Sequence, residues 1–172
     1  TQLHITTGLK VNGPKDDAAT YAIAQRMRGD IAGMGAVKTA LSNGEATVNV
    51  AITAGKAVAD MLTEMKAKVV QANQAGLDTA SRTALNNDFT SLRDQLETIV
   101  KTAEFNGKNL ITSAASALTV LSTVDGSTIS VSAQSMDATT LGIQSASLDL
   151  SAGAVTALTK IDAAINSVTS SL

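Results

Sequence analysis

The chain has 172 residues, a net charge of −2 and a sequence pI of about 5.3, and only 2% of its residues are aromatic. This length suffices for one domain with a hydrophobic core, and the scarcity of rings favours helix–helix packing by aliphatic side chains. The absence of Cys excludes a disulfide framework and a zinc–thiolate site, and the near-even charge balance disfavours a nucleic-acid partner. No apolar stretch approaches the roughly 20 residues of a transmembrane helix, so we expect no membrane insertion.

A heptad pattern in the first half of the chain predicts one long helix over about residues 15–74. Pro14 and the carboxylates of Asp16 and Asp17 suit its first turn. Two apolar registers keep a 3,4 spacing without a slip. One register is Met27, Met34, Leu41, Val48, Gly55, Leu62 and Val69, and the other is Ile23, Asp30, Val37, Gly44, Ala51, Val58, Met65 and Ala72.

The unbroken phase of this seam outweighs its glycines, each of which lowers helix propensity by about 1 kcal/mol. Asp30, Gly44 and Gly55 are interpreted as breaks in the apolar pattern, with residues 33–44 as the place for a bend. At ~1.5 Å per residue the helix would be about 90 Å long, which predicts an elongated molecule. Met27, Met34 and Met65 fall on the seam and are interpreted as core residues.

A second helix is predicted over about residues 79–104. Gly76 is suited to end the first helix, and Thr79 or Ser81 to cap the next. A 4,3 repeat then defines one apolar face, formed by Leu85, Phe89, Leu92, Leu96, Ile99 and Ala103. The short turn predicts that this helix runs antiparallel to the first, and Asn106–Gly107 is interpreted as its end.

The last third of the chain predicts a hairpin and a third helix. Asp125–Gly126 lies between β-prone segments and indicates a hairpin in the region of about residues 116–133. Residues 136–150 are interpreted as a polar loop with a short extended piece near residues 148–150. A 3,4 repeat from Leu158 to Leu172 predicts an amphipathic helix over about residues 152–172. The expected fold class is mainly α: an elongated antiparallel helical bundle with a small β-hairpin region.

No set of residues predicts catalysis, a metal site or a cofactor. His4 is the sole histidine and is interpreted as an exposed loop residue. Asp16 and Asp17 lack metal-ligand partners at useful spacing, and Gly33 and Gly35 lack the Gly-Lys-Ser/Thr sequence of a phosphate loop. The chain offers no nucleophile–base pair, so we expect it not to be an enzyme.

Three stretches resemble the signature of bacterial flagellins. Residues 5–12, 15–19 and 22–28 are similar to the family pattern L-S-S-G-L-R-I-N, K-D-D-A-A and A-I-A-x-R-M-R. Residues 104–110 resemble T-E-F-N-G-K-K-L, and Leu141–Gly142 with residues 163–165 resembles the C-terminal core. The resemblance covers essentially all 172 residues, and residues 48–55 are most similar to alphaproteobacterial flagellins.

The resemblance implies a secreted structural subunit of the extracellular flagellar filament. Its expected partners are other flagellin subunits, in a homopolymer, together with the flagellar type III export machinery and a chaperone. Residues 1–172 are expected to form a single rod (D1-like) domain. We expect the chain to be a fragment without the terminal helices of the family, and therefore not to polymerise alone.

One surface departs from the family pattern. The flagellin-specific Toll-like receptor recognises a family stretch that reads Q-R-M-R-E-L-A-V-Q, which aligns with residues 63–71. Glu64 stands in place of the first Arg and Lys68 in place of the Leu, whereas Gln71 is retained. A reversed charge and a charge at an apolar contact each weaken an interface, so the resemblance implies weak or no receptor recognition.

Two alternatives remain at this stage. A hook–filament junction protein shares the rod and terminal helices of flagellin. The second alternative is a flagellin-like cell-surface protein that binds glycans. A glycan site usually offers exposed aromatic rings, and the chain has only three aromatic residues, Tyr21, Phe89 and Phe105. The motifs in residues 15–28 and 104–110 favour flagellin.

Overall fold

The computed structural model describes residues 18–144, 146–148 and 151–172, and for residues 151 and 152 the main chain alone. Its helices in these residues are α1 (Ala18–Ala72), α2 (Thr79–Thr102) and α3 (Ser151–Ser171). Its strands form two separate antiparallel pairs, β1 (Glu104–Phe105) with β2 (Lys108–Asn109), and β3 (Leu118–Leu121) with β4 (Thr128–Val131). The mainly α fold class is confirmed.

The described chain divides into two compact units. Unit 1 is drawn from Thr1–Asn43 and Thr119–Ile129, and unit 2 from Gly44–Leu118 and Ser130–Leu172. Helix α1 contributes residues to both. The expectation of one domain over residues 1–172 stays a prediction.

Helix α1 extends over 55 residues. It passes through all of its glycines as continuous helix, despite their low helix propensity. Asn73 ends it, since the Asn73 side chain donates to Val69 O at 2.9 Å. Arg82 Nη1 donates to Ala72 O at 2.8 Å and satisfies a carbonyl that the helix end leaves open. Gly76 lies four residues beyond the helix end and is therefore not its C-cap as predicted, but it turns the chain with φ +79°.

Within unit 2 both α2 and α3 run antiparallel to α1, and side-chain contacts fix their register. Lys66 Nζ lies 2.7 Å from Asp162 Oδ1, and Asn73 Nδ2 donates to Ala154 O at 3.2 Å. Higher numbers on α1 thus meet lower numbers on α3. The core between the helices consists of Ala51, Val58, Leu62, Met65, Val69, Ala72, Phe89, Leu96, Val100, Ala154, Ala157, Ile161, Ala164 and Val168. These side chains recur at helical 3,4 spacing, as the sequence predicts.

Gly55 is part of this packing and not a defect in the seam. A β-carbon at residue 55 would lie 2.7 Å from Leu172 Cδ2 and 3.4 Å from Met136 Sδ. The glycine leaves the space in which these two side chains approach the α1 backbone.

In unit 1 most of the same register positions are exposed, although Val37 is buried, which corrects part of the seam prediction. Ile23, Met27 and Met34 are 60%, 58% and 56% exposed, and Leu41 is 39% exposed. Met65 alone of the three seam methionines is a core residue. A heptad shows which face of a helix can be buried, but the partner that buries it lies elsewhere in the chain or assembly.

Two boundaries of α2 also differ from the prediction. Its N-cap is Asp78, not Thr79 or Ser81, because the Asp78 carboxylate accepts a hydrogen bond from Ser81 N at 2.8 Å. At its other end the helix stops at Thr102. Asn106–Gly107 is therefore not a helix end but the turn of the β1–β2 hairpin, with φ +53° and +77°. Two positive φ angles are what a two-residue hairpin turn requires.

The predicted hairpin around Asp125–Gly126 is present as β3–β4. Its turn is closed by Ser122 N, which donates to Ser127 O at 2.8 Å, and Gly126 has φ +93°. Asp125 does not share the positive φ, so the turn is longer than the two-residue type. In unit 1 the turn reaches α1: a β-carbon at Gly33 would lie 3.1 Å from Val124 Cγ1.

Residues 134–144 and 146–148 form an irregular segment, here called the connector, which leads towards α3. The sequence predicts a polar loop in this region, but the structure buries much of it. The buried connector residues are Met136, Ala138, Leu141, Ile143, Ala146 and Leu148. Residues 149 and 150, at the end of the predicted extended piece, lie outside the described residues.

Candidate interaction surfaces

The described residues contain no group of three or more His, Cys, Asp or Glu side chains that could hold a metal ion. His4, Asp16 and Asp17 lie outside these residues. In the described part of the chain no helix is both long and apolar enough to cross a bilayer.

Two carboxylates have a lowered pKa, and both close a turn. Hydrogen bonding from Ser81 holds the pKa of Asp78 below its usual value of 3.8. Partial burial acts to raise the pKa of Asp137, but hydrogen bonds from Thr140 and Ser135 outweigh burial and leave it lowered. A base or acid at neutral pH needs the opposite shift, so both groups have structural roles.

The residues that align with the receptor motif lie on α1, beside α2. Glu64 and Gln71 are exposed, and Lys68 is half-buried. Lys68 Nζ lies 3.3 Å from Asp88 Oδ2 on α2, an ion pair that the sequence analysis missed. Glu64, Lys68 and Asp88 line an open groove of about 400 Å³, together with Ala67, Ser91, Leu92 and Gln95.

Other residues of the aligned stretch do not face this groove. Met65 and Val69 are fully buried in the core. Lys66 pairs with Asp162 of α3. The groove therefore presents two of the departures from the family motif, Glu64 and Lys68, on one face, and adds the acidic Asp88 to them.

A second surface is the exposed face of α1 in unit 1. We call it the open seam: Ile23, Met27, Ile31, Met34 and Leu41. Four of them, Ile23, Met27, Met34 and Leu41, continue the heptad registers whose later members are core residues of unit 2, and Ile31 lies beside them. Contiguous exposed apolar side chains on a helix are typical of a protein–protein contact.

A third feature holds the connector on α2. Asn86 Oδ1 accepts from Leu148 N at 2.9 Å, Arg93 Nη1 donates to Gln144 O at 2.6 Å, and Glu97 Oε1 accepts from Ala138 N. All three side chains bind main-chain atoms. Their spacing of seven and four residues places them on one face of α2, and this spacing was the available sequence signal.

Comparison with known proteins shows the family to which the chain belongs. Residues 1–116 match the family profile described as the bacterial flagellin N-terminal helical region. The chain belongs to the bacterial flagellin family. The resemblance noted in the sequence motifs is thereby confirmed.

The relatives are flagellins of alphaproteobacteria, as the sequence predicts. Flagellin FljK of Caulobacter vibrioides is 37% identical over 172 residues, which is 99% of this chain and 63% of that protein. Flagellin A of Rhizobium meliloti is 38% identical over 109 residues, which is 63% of this chain and 27% of that protein. The chain thus spans less than two thirds of the length of these flagellins.

The fold is also that of a solved flagellin. The crystal structure of Bacillus cereus flagellin superposes with a TM-score of 0.66 at 22% identity. The superposition covers 75% of this chain and 76% of the other. This likeness supports the arrangement of long helices and short strand pairs described above.

Proposed function

We propose that this chain is the rod-domain part of a filament subunit, which polymerises with other flagellin subunits into the extracellular bacterial flagellum. The flagellin family is a family of structural proteins, and we assign this chain a mechanical and not a catalytic role. Export by the flagellar secretion machinery with a chaperone, and assembly through terminal helices, belong to the same proposal.

The open seam is the observation that supports this function best. Met27 and Met34 are more than half exposed, although they stand in registers that are buried further along the same helix. Burying an exposed methionine side chain contributes roughly 1.5–3 kcal/mol, so several of them form a strong contact. We infer that the open seam becomes buried when the complete subunit is in the filament.

A chimeric flagellin tests the proposal. This chain replaces the matching region of Caulobacter flagellin FljK, and the purified chimera is added to short filament seeds and viewed by electron microscopy. We expect the seeds to lengthen. A folded chimera that never extends a seed would refute the subunit role.

Two variants of the chimera test the open seam. Met27→Glu with Met34→Glu places charges on the seam and should abolish growth. Ala32→Glu, on the opposite face of the same helix, is the matched control and should assemble. Equal growth of both variants would show that the seam is not an assembly contact.

The groove lined by Glu64, Lys68 and Asp88 supports a second part of the proposal, weak or absent recognition by the flagellin-specific Toll-like receptor. A receptor surface that contacts an arginine and a leucine in other flagellins would contact Glu64 and the ion-paired Lys68 in this chain. Charge reversal at an interface costs binding free energy and slows association.

A further inference from the structure

The chain contains Asn–Gly three times, and the structure places two of these pairs in opposite settings. Asn43–Gly44 lies inside helix α1, and Asn106–Gly107 forms the exposed turn of the β1–β2 hairpin. The third pair, Asn12–Gly13, lies outside the described residues. Because glycine has no side chain, its own main-chain nitrogen is unshielded, so Asn–Gly is the dipeptide in which an asparagine amide is most readily attacked by the backbone.

In the helix this attack is blocked. The Gly44 nitrogen is part of the hydrogen-bonded helix, and Gly44 is buried. To reach the Asn43 side chain, the nitrogen would have to leave the helix, and several residues of α1 would have to unfold with it. The helix therefore protects Asn43.

In the turn of the β1–β2 hairpin the same attack is not blocked. Asn106 and Gly107 are both exposed, and a β-carbon on Gly107 would meet nothing within 4 Å. The hairpin pairs Phe105 with Lys108, which leaves the two turn residues outside the ladder. Rotation of this one peptide unit brings the Gly107 nitrogen towards Cγ of Asn106 without loss of a helix or a core contact.

We propose that Asn106–Gly107 is a self-modification site, at which the folded protein deamidates spontaneously while Asn43 stays intact. The Gly107 nitrogen loses its proton to solvent base and bonds to Cγ of Asn106. The Cγ–Nδ2 bond breaks, ammonia leaves, and a five-membered succinimide forms. Water then opens the ring to aspartate or isoaspartate, so the net reaction is amide plus water to acid plus ammonia.

The product changes the turn of the β1–β2 hairpin, which follows the end of α2. It adds a negative charge two residues from Glu104, and isoaspartate inserts a carbon into the main chain of a turn that needs positive φ at both positions. The next residues anchor the hairpin, because Asn109 Nδ2 donates to Val100 O at 2.6 Å and Asn109 Oδ1 accepts from Ile111 N at 2.9 Å. The modified fraction at Asn106 records the time that the folded molecule has spent at a given pH.

The full chain tests this by peptide mass mapping after incubation in mildly alkaline buffer. Trypsin places Asn106 in the peptide 102–108, Asn43 in 39–56 and Asn12 in 11–15, and fragment ions separate Asn43 from Asn49. In the folded protein we expect the amide-to-acid mass gain at Asn106 at least about tenfold faster than at Asn43. In concentrated urea the two rates should agree within about threefold, because the helix no longer protects Asn43.

A variant and a second readout make the result specific. Asn106→Gly removes the side-chain amide but tolerates positive φ, so peptide 102–108 should gain no mass while the fold is kept. Labelling by protein isoaspartate methyltransferase should appear on wild-type peptide 102–108 and be absent from the variant. Equal rates at Asn43 and Asn106 in the folded chain, or an Asn106 that reacts only in urea, would overturn the proposal.

Discussion

Gly153, in the first turn of α3, lies directly beneath the main-chain carbonyl of Ser147: a β-carbon at residue 153 would come 2.8 Å from Ser147 O. The obstacle is backbone, which cannot rotate away as a side chain can. Gly153→Ala should therefore lower the free energy of unfolding by about 1–3 kcal/mol, although alanine is the better helix former. Urea denaturation followed by circular dichroism measures the change.

Gly35→Ala is the control for this prediction. Gly35 also lies in a helix, but a β-carbon there would meet nothing within 4 Å. Its replacement should raise stability by roughly 0.5–1 kcal/mol through helix propensity alone. If both variants were stabilised, the close approach of Ser147 to Gly153 would be refuted.

The side chain of Asn86 should contribute far more to the free energy of unfolding than that of its neighbour Asn87. The Asn86 side chain accepts from Leu148 N, whereas Asn87 is exposed. Asn86→Ala leaves the buried Leu148 amide without this acceptor and should cost about 1–3 kcal/mol, while Asn87→Ala should cost less than about 0.5 kcal/mol. Hydrogen exchange at the Leu148 amide should accelerate in Asn86→Ala alone, and Asn86→Asp, which keeps the acceptor, should restore protection.

The connector shows where sequence reasoning ends. Its Ser, Thr and small apolar residues have no helical or strand period, so the pattern indicates a loop. The connector's buried side chains join the hydrophobic core, and its main chain is held by Asn86, Arg93 and Glu97 of α2, which have the sequence pattern of ordinary solvent-facing residues. Their partners are main-chain atoms about 40–60 positions away, and no local rule connects them.

Two methionines in the same seam should respond very differently to truncation. Met65 is fully buried, whereas Met27 is 58% exposed. Met65→Ala should cost about 2–5 kcal/mol, and Met27→Ala should change stability by no more than about 0.5 kcal/mol. Chemical denaturation of both variants gives the comparison, and a large loss in Met27→Ala would mean that this end of the seam is already covered.

This pair also shows what the heptads predict. The 3,4 spacing identifies the helix and the face that can be buried. In unit 2 every predicted register position from Ala51 to Ala72 is part of the core packing. It cannot tell Met27 from Met65, because each is one position of a periodic pattern. Asn106–Gly107 was ambiguous for a similar reason, since both residues suit a helix end and a hairpin turn alike.

Asp137 should contribute to stability at neutral pH and lose that contribution in acid. Its folded-state pKa lies below the usual 3.8, so the contribution is fully present above 3.8 and disappears as pH falls through the folded pKa. Asp137→Asn should be less stable than wild type at neutral pH, and the difference should shrink below pH 3.8. Thermal unfolding across this range measures it, with Asp60→Asn as a charge-matched control, and a difference that stays constant with pH would contradict the assignment.

Restoring two residues of the family motif in the α1–α2 groove should create receptor recognition. Glu64→Arg with Lys68→Leu returns both positions to the residues that the motif carries. The lost Lys68–Asp88 pair is partly exposed and contributes only about 0–1 kcal/mol, so the fold should persist. In a Toll-like receptor reporter assay we expect at least about a tenfold higher response from the double variant than from wild type, because a charge reversal and a mismatched contact each cost about 1–2 kcal/mol or more.

Asp88 supplies the comparison that separates charge from shape in this assay. If the acidic groove itself repels the receptor, Asp88→Asn should raise the response. The increase should be smaller than in the double variant, because Asp88→Asn removes a charge but adds no apolar contact. Gln71→Ala in the double variant should lower the response again, because Gln71 is an exposed residue that the motif retains. A strong response from the unmodified chain at nanomolar dose, or a folded double variant with no gain, would show that Glu64 and Lys68 do not control recognition.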